Sequence, residues 1–217
     1  MTLRIVHVAS GREWRGGQRQ VWLLARALAK HEGISQVVVT GRGSELARRL
    51  AADRIPTRTP VWSGALDLRA LAAIVRLADP TTILHAHDSH ALTLATLAKA
   101  MSGARLVLTR RVDFAVRRLG FWRSADRIIA ISDAVRLALV ASGVPAGEIT
   151  VVQSGMAVDD VARAARSEPR LARRELVADE EIVDDPADLL LVEEVEAAPP
   201  ALELEETLGL VVDVRVQ

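Results

Sequence analysis

The stretch "TTILHAHDSHALTLATLAKAMSG" (residues 81–103) contains a complete strand, turn and helix. Its first seven residues include Ile83, Leu84 and Ala86 and predict a strand, and the segment from 89 onward predicts a helix that ends at Gly103. At the junction lie three of the five histidines of the chain, with an aspartate among them: His85, His87, Asp88 and His90. A buried strand that runs directly into polar residues and a helix is typical of βαβ folds with a ligand site at the strand end.

Strands and helices alternate in the same way along most of the chain. Further strands are predicted for "LRIVHVAS" (3–10), "QVVVTGRG" (36–43), "ARLVLTRR" (104–111), "DRIIAIS" (126–132) and "EITVVQSG" (148–155). Helical segments of about ten to fifteen residues separate several of these strands. This alternation predicts an α/β fold with a doubly wound parallel sheet.

Polar residues follow the carboxyl ends of several predicted strands. They are found in the loop 9–17, the cluster 85–90, Arg110, Arg111 and Ser132. Because ligands of open parallel sheets bind outside the carboxyl ends of the strands, we expect these residues to face one crevice. Three of them have simpler alternatives: Gly16 and Gly17 could merely permit a tight turn, and His90 is expected to be a surface residue at the helix start.

The composition indicates a soluble protein with a sizeable core. Half of the residues are apolar, and the absence of cysteine excludes disulfides and thiolate metal sites. No apolar run approaches the ~20 residues of a membrane span. We expect a cytoplasmic protein that makes at most peripheral contact with the inner face of the membrane.

The zero net charge of the chain is the sum of two oppositely charged regions. From Glu175 onward there are 14 acidic residues and one basic residue, whereas the preceding 174 residues contain 27 basic and 14 acidic ones. The basic region indicates either an anionic partner or a solvated surface with many arginines. The acidic end includes apolar segments at 189–195 and 208–216, which we expect to dock on the basic region; the alternative is a disordered extension.

The histidine cluster could belong to a metal-dependent hydrolase. His85, His87 and His90 resemble the H-x-H-x-D-H motif of metallo-β-lactamase-like enzymes, but Ser89 stands where that motif has its aspartate. A zinc site needs three or four ligands at ~2.0–2.2 Å. Only two other histidines remain, and His7 lies within a predicted buried strand, so we expect no stoichiometric metal.

A dinucleotide-binding Rossmann domain is a second alternative. The first strand is followed by Gly11-Arg12-Glu13-Trp14-Arg15-Gly16-Gly17, which is not the G-x-G-x-x-G fingerprint. The second strand ends at Val39-Thr40-Gly41, without the acidic residue that holds a ribose hydroxyl. Both features fit a dinucleotide site poorly.

A third interpretation rests on a family resemblance. The segment "RIVHVASGREWRGGQRQVWLLARAL" (4–28) resembles the opening of family 4 glycosyltransferases of the GT-B fold, with a strand, a loop ending in Gly-Gly and a long helix. The segment 81–114 is similar to the part of those enzymes in which a strand ends in His-x-His, and 125–160 to the stretch that closes their N-terminal domain. The resemblance covers roughly residues 3–176 and implies a Rossmann-like N-terminal half of a GT-B fold.

The resemblance also implies roles for individual residues. Gly16 and Gly17 match a glycine pair that approaches the diphosphate of the sugar nucleotide or the acceptor, and the adjoining Gln18 is included in this substrate site. His87 matches the catalytic position that borders the transferred sugar, where a neutral imidazole hydrogen-bonds a hydroxyl and shares a proton. His85 is expected on the opposite face of the strand. The remaining substrate-binding candidates are Asp88, Arg110, Arg111 and Ser132.

The second Rossmann-like domain of the family, which binds the nucleotide, has no counterpart in this sequence. The resemblance fades after "RLARREL" (170–176), so we predict an acceptor-side domain at 1–176 and an acidic tail without a recognised domain at 177–217. The implied partners are a nucleotide-sugar donor and a hydroxyl acceptor, which could be lipid-linked, with no metal or other cofactor and no nucleic acid. The chain alone is expected to be inactive unless a donor domain acts in trans; the alternative is a non-catalytic binding module.

Overall fold

Seven parallel strands form one sheet in the computed structural model, which describes residues 2–113 and 119–155. The order across the sheet is β3-β2-β1-β4-β5-β6-β7, so the chain moves outward from β1 in one direction and then returns to continue from β4 in the other. The prediction of a doubly wound α/β fold is confirmed. The predictions for the tail 177–217 lie outside the described residues.

The strands and helices follow the predicted alternation. The strands are β1 (Leu3–Ala9), β2 (Ile34–Thr40), β3 (Thr57–Arg58), β4 (Thr82–Ala86), β5 (Arg105–Arg110), β6 (Arg127–Ala130) and β7 (Ile149–Val151). The helices are α1 (Gly16–Leu28), α2 (Glu45–Ala52), α3 (Leu68–Val75), α4 (Ser89–Ser102), α5 (Leu119–Trp122) and α6 (Asp133–Ala141), with a 3₁₀ turn at Ala146–Glu148.

Polar side chains in the connections between strands and helices cap the starts of several helices. Ser44, Asp67, Asp88 and Ser132 each accept a hydrogen bond from a backbone amide in the first turn of the following helix. Such caps satisfy amides that have no partner within the helix. At the other end of α4, Gly103 adopts the left-handed conformation with φ 71°, which closes the helix where the sequence predicted.

Two apolar clusters pack against opposite faces of the sheet. The first joins strand residues such as Val8, Val39 and Leu84 to helices α3, α4 and α6. The second joins Ala9 and Val38 to helices α1 and α2. Val38 and Val39 belong to different clusters because successive side chains of a strand point to opposite faces.

Helix α1 begins earlier than the sequence pattern indicated. Gly16 and Gly17 belong to its first turn and are not part of a separate tight turn before it. None of the helices among the described residues is long and apolar enough to cross a membrane.

Candidate substrate site at the carboxyl edge of the sheet

A pocket of about 560 Å³ opens at the carboxyl edge of the sheet. The loop after β1, the junction of β4 and α4, and the end of β5 all contribute to its wall. Seven of the predicted site residues line it: Gly16, Gly17, Gln18, His87, Asp88, Arg110 and Arg111. The eighth, Ser132, is not among the lining residues; its hydroxyl accepts a hydrogen bond from the amide of Val135 and so caps α6.

The start of α1 presents uncapped backbone amides at this pocket. Arg15 occupies the capping position but makes no side-chain capping bond among the described residues, and the first turn contains no acidic residue. A Cβ atom added at Gly16 or Gly17 would meet no heavy atom within 4 Å, so the space above this turn is open. Free amides and the positive end of the helix dipole favour an anion there.

Three histidine side chains meet on one face of the central strands. The pairing of β1 with β4 sets His7 opposite His85, and His87 follows two residues later. The rings of His85 and His87 are 4.0 Å apart between centroids, and that of His7 lies 5.4 Å and 5.3 Å from them. The prediction that His85 points away from His87 is therefore wrong, because residues two apart along a strand share a face.

All three imidazoles are held in the neutral form. Burial lowers the pKa of His7 to about 4, with an opposing increase from the side chain of Gln36. Burial likewise lowers the pKa values of His85 and His87 well below the ordinary value, and the neighbouring rings and Arg111 lower them further. Desolvation penalises the charged form of a buried base, so the three imidazoles carry no positive charge near pH 7.

Both ring nitrogens of His87 are engaged by protein atoms. Nε2 lies 3.1 Å from Nδ1 of His7, and Nδ1 lies 3.2 Å from a terminal nitrogen of Arg111. A substrate hydroxyl can hydrogen-bond to this imidazole only if one of these contacts is broken. The ring of His85 is anchored separately, since its Nε2 lies 2.7 Å from the hydroxyl of Thr109.

In the described part of the chain, the histidine trio is also a group that could hold a metal ion. One nitrogen from each of His7, His85 and His87 lies within 4.8 Å of the others, and neutral imidazole is the form that binds metals. The predicted third ligand, His90, is exposed on the first turn of α4. The sequence pattern placed His7 only in the core because it did not reveal that β1 pairs with β4. The positively charged guanidinium of Arg111 lies beside His87 and would repel a metal cation bound at the trio.

Arg111 is the most enclosed cation in the pocket wall. One terminal nitrogen donates to the carbonyl of His87 at 2.8 Å, while its Nε is buried and has no hydrogen-bond partner among the described residues. Burial lowers its pKa to about 10, and the negative charge of Asp88 partly offsets that effect. The side chain therefore remains charged at neutral pH and retains one donor that the described residues do not satisfy.

Asp88 joins two parts of the pocket wall. Its carboxylate accepts hydrogen bonds from the backbone amide of Ser10 at 2.7 Å, from the Ser10 hydroxyl at 2.5 Å and from the amide of Ala91 at 2.8 Å. These bonds fasten the loop after β1 to the start of α4. The negative charge of this carboxylate also raises the pKa of Arg111.

Arg110 and Trp122 form a neighbouring part of the wall. The guanidinium carbon of Arg110 lies 5.0 Å from the centroid of the Trp122 ring, within the range of a cation–π contact. Trp122 is buried, whereas Phe121 is 41% exposed. Nine lining residues were not predicted as individual site residues: Arg15, Gln20, Ser89, Leu108, Thr109, Val112, Trp122, Ile131 and Ser154. Of these, Arg15 lies within the loop 9–17 that had been placed at the crevice.

Residues 14–160 match the sequence model of a family described as Glycosyltransferase Family 4. This chain belongs to that family. His85, His87 and the three arginines of the pocket wall fall within the matched range, whereas His7 precedes it. A search of curated proteins gives no match.

Solved structures share the fold at low sequence identity. A HepE protein of Anabaena, solved in complex with UDP and glucose, has 16% identity and a TM-score of 0.57, and the match covers 76% of this chain and 50% of that one. A glycosyltransferase of Rickettsia africae has 13% identity and a TM-score of 0.56, over 77% and 50%. A UDP-GlcNAc 2-epimerase of Neisseria meningitidis, bound to UDP-GlcNAc, has 12% identity and a TM-score of 0.55, over 81% and 52%.

The chain thus spans about half the length of the structures it matches. The likeness identifies the fold as the Rossmann-like N-terminal half of the GT-B architecture. Because an epimerase shares that fold, the family match and not the fold distinguishes a glycosyltransferase domain from other enzymes of nucleotide-sugars.

Proposed function

We propose that this chain is the acceptor-side domain of a glycosyltransferase that moves a sugar from a nucleotide-sugar to a hydroxyl acceptor. The observation that carries the proposal is the pocket itself. In a family 4 domain, the uncapped start of α1 and the guanidinium of Arg111 line the same 560 Å³ cavity. Together they form a positively polarised wall suited to the phosphates of a donor or to an anionic acceptor.

Seven of the lining residues have a specific task in this proposal. The amides of Gly16 and Gly17 and the guanidinium of Arg111 contact negative charge, and Gln18 contacts a polar group of the acceptor. His87 borders the transferred sugar, with its imidazole in the neutral form. Asp88 fixes the wall, and Arg110 extends the positive surface beside Trp122.

Catalysis in such a site consists mainly of placement and electrostatic stabilisation. Holding the acceptor hydroxyl in line with the sugar removes much of the entropic cost of a two-substrate reaction. Cations and amide dipoles stabilise the diphosphate as it departs with negative charge. No metal or other cofactor is required for these contributions. The exposed ring of Phe121, next to the exposed Arg123, is compatible with an acceptor carried on a lipid.

A second domain, which binds the nucleotide, is needed to complete the reaction. We propose that it is supplied either in a longer protein or by a separate chain, since this chain corresponds to half of its structural relatives. The purified chain, incubated with labelled UDP-glucose and a panel of hydroxyl acceptors, should therefore transfer no measurable sugar. Turnover by the chain alone would overturn the requirement for a donor domain.

Binding to the pocket can be tested without turnover. In a titration of the ¹⁵N-labelled chain with UDP-glucose, we expect weak binding that shifts the amide signals of Gly16 and Gly17. The variant Arg111→Gln should weaken these shifts, whereas Arg58→Gln, an exposed change on the edge strand β3, should leave them unchanged. Shifts confined to residues outside the pocket would contradict the proposal. Binding at the pocket without transfer after a donor domain is added would favour a non-catalytic binding module.

A further inference from the structure

Behind the pocket wall, a series of buried polar groups leads from Arg111 to the backbone of α1. Nδ1 of His87 faces a terminal nitrogen of Arg111, and Nε2 of His87 faces Nδ1 of His7. At the far end, the side-chain nitrogen of Gln36 donates to the carbonyl of Ala25 at 2.6 Å. Gln36 and His7 are both buried, and neither belongs to the pocket lining.

The direction of each hydrogen bond follows from which groups can donate. Arginine has no acceptor, so Nδ1 of His87 must carry the lone pair, and Nε2 of the neutral ring must carry the proton. Nε2 therefore donates to Nδ1 of His7, which leaves the proton of His7 on its own Nε2. A carbonyl only accepts, so the amide nitrogen of Gln36 must face Ala25, and its oxygen is left as an acceptor.

Two groups remain without partners, and they are complementary. Nε2 of His7, a donor by the preceding assignment, and Oε1 of Gln36, an acceptor, are both buried without a hydrogen bond of normal geometry among the described residues. They are neighbours, because Gln36 is the register partner of Ile5 and so lies diagonally across from His7 on the same face of the sheet. The Gln36 side chain also acts on the pKa of His7 as a hydrogen-bond partner would. Buried unpaired donors and acceptors are costly, so two adjacent ones of opposite type favour pairing with each other.

We propose that Gln36, His7 and His87 form one hydrogen-bond chain that fixes the orientation of Arg111 and thereby prepares the pocket for an anionic group. Gln36 is a positioning residue in this arrangement, acting through two histidines on a guanidinium that contacts the ligand. The ligand class is an oxyanion such as a phosphate or diphosphate, which accepts from the guanidinium of Arg111 in the pocket wall. The inference refines the proposed function, since it assigns the anion contact to Arg111.

The proton positions can be measured directly in the unmodified protein. In long-range ¹H–¹⁵N spectra of the ¹⁵N-labelled full chain at pH 7, His7 and His87 should each show a protonated Nε2 and an unprotonated Nδ1. Single variants His7→Gln and His87→Gln assign the signals. A protonated Nδ1 on His87, or averaging between the two tautomers, would overturn the chain.

The role of Gln36 is tested by Gln36→Met, which keeps the length of the side chain and removes both its acceptor and the amide that donates to Ala25. We expect mixed tautomers at His7 and binding of inorganic pyrophosphate, followed at the Arg111 Nε–H signal, that is weaker by about three- to tenfold, as for one lost hydrogen bond. Val39→Ala is the matched control, because Val39 is buried in the same strand but faces the other side. Equal effects of the two variants on pyrophosphate binding and tautomers would reduce Gln36 to a packing residue and overturn the proposal.

Addition of zinc chloride distinguishes the proposed hydrogen-bond chain from a metal site at the same histidines. The hydrogen-bond chain predicts that one equivalent of Zn²⁺ leaves the ring signals of the trio unchanged. Tight binding that shifts His7, His85 and His87 together would overturn the chain in favour of a metal centre. None of these measurements depends on sugar transfer, so the proposed function and this inference can fail independently.

Discussion

The two faces of the central strands β1 and β4 are built in opposite ways. On one face, Val6, Val8, Leu84 and Ala86 join a large apolar cluster in which each side chain contacts several others. On the other face of the same strands lie His7, His85 and, just beyond β4, His87, held by a few individual hydrogen bonds. Apolar packing distributes its stabilisation over many contacts, whereas the hydrogen-bonded face depends on each donor finding its own acceptor. We therefore expect the apolar face to determine stability and the histidine face to determine ligand binding and pH response.

The largest expected effect is on the apolar face. Leu84→Ala removes a fully buried side chain and should lower the free energy of unfolding by about 3 kcal/mol, within the usual range for such cavities. Urea unfolding followed by circular dichroism measures the loss. Pyrophosphate affinity of the folded fraction should stay the same; a change in affinity larger than the change in stability would remove the distinction between the faces.

Lowering the pH should destabilise the protein through the histidine face. The pKa of His7 is about 4 in the folded protein against 6.5 ordinarily, so between these values the unfolded chain binds the proton that the folded one excludes. Stability is thus fully present above pH 6.5 and declines as the pH falls toward 4, by about 3 kcal/mol for this shift. His85 and His87 act in the same direction.

Unfolding curves of the wild-type chain and of His7→Gln, taken from pH 7 to pH 4, isolate this contribution. The variant should lose less stability over that window. Asp67 and Asp79, whose pKa values are lowered to about 2, lose their contribution only below pH 4 and do not interfere. Parallel curves for the two proteins would show that His7 does not carry the pH response.

Binding should respond to the cation that the histidine face supports. Arg111→Gln is expected to weaken pyrophosphate binding by at least about tenfold, because a hydrogen bond to a charged group is worth ~1.5–3 kcal/mol. Calorimetric titration provides the measurement, with the exposed Arg58→Gln as the charge-matched control. Equal losses in the two variants would indicate only the general positive charge of the surface.

The smallest expected effect concerns a polar residue with a purely structural task. Ser44 accepts from the amide of Ala47 at 3.1 Å at the start of α2. Ser44→Ala should reduce stability by about 1 kcal/mol, the usual value of such a cap, and leave pyrophosphate affinity unchanged. If ligand affinity fell instead, polar residues at strand ends could not be separated into caps and ligand contacts.

Much of the fold could be predicted because local patterns determine it. The apolar run of "LRIVHVAS", the cap at Ser44 and the terminal glycine at 103 each report the conformation of a few neighbouring residues. The general position of the site was also predictable, since the carboxyl edge follows from parallel strands. Partners distant in sequence were not. The juxtaposition of His7 and His85 depends on which strands pair, and nothing local to either residue encodes it.

Individual site residues were harder to predict for the same reason. Ser132 occupies the end of a strand as His87 does, but its hydroxyl is used by its own helix, and a sequence pattern does not distinguish the two uses. The prediction for His85 was wrong because it misapplied the alternation of side chains along a strand: His85 and His87 are two residues apart and therefore share a face. Arg15 lines the pocket because α1 begins at Gly16, two residues earlier than its apolar pattern showed.

The three hydrogen bonds of Asp88 determine when the loop after β1 loses its freedom. Because Ser10 is bonded through both its amide and its hydroxyl to a carboxylate at the start of α4, the base of this loop is ordered when the domain folds. Its conformational entropy is therefore lost during folding and not during association, so less of the interaction energy with a ligand is spent on immobilising the wall. Ligand binding should accordingly carry a small entropic penalty from this loop.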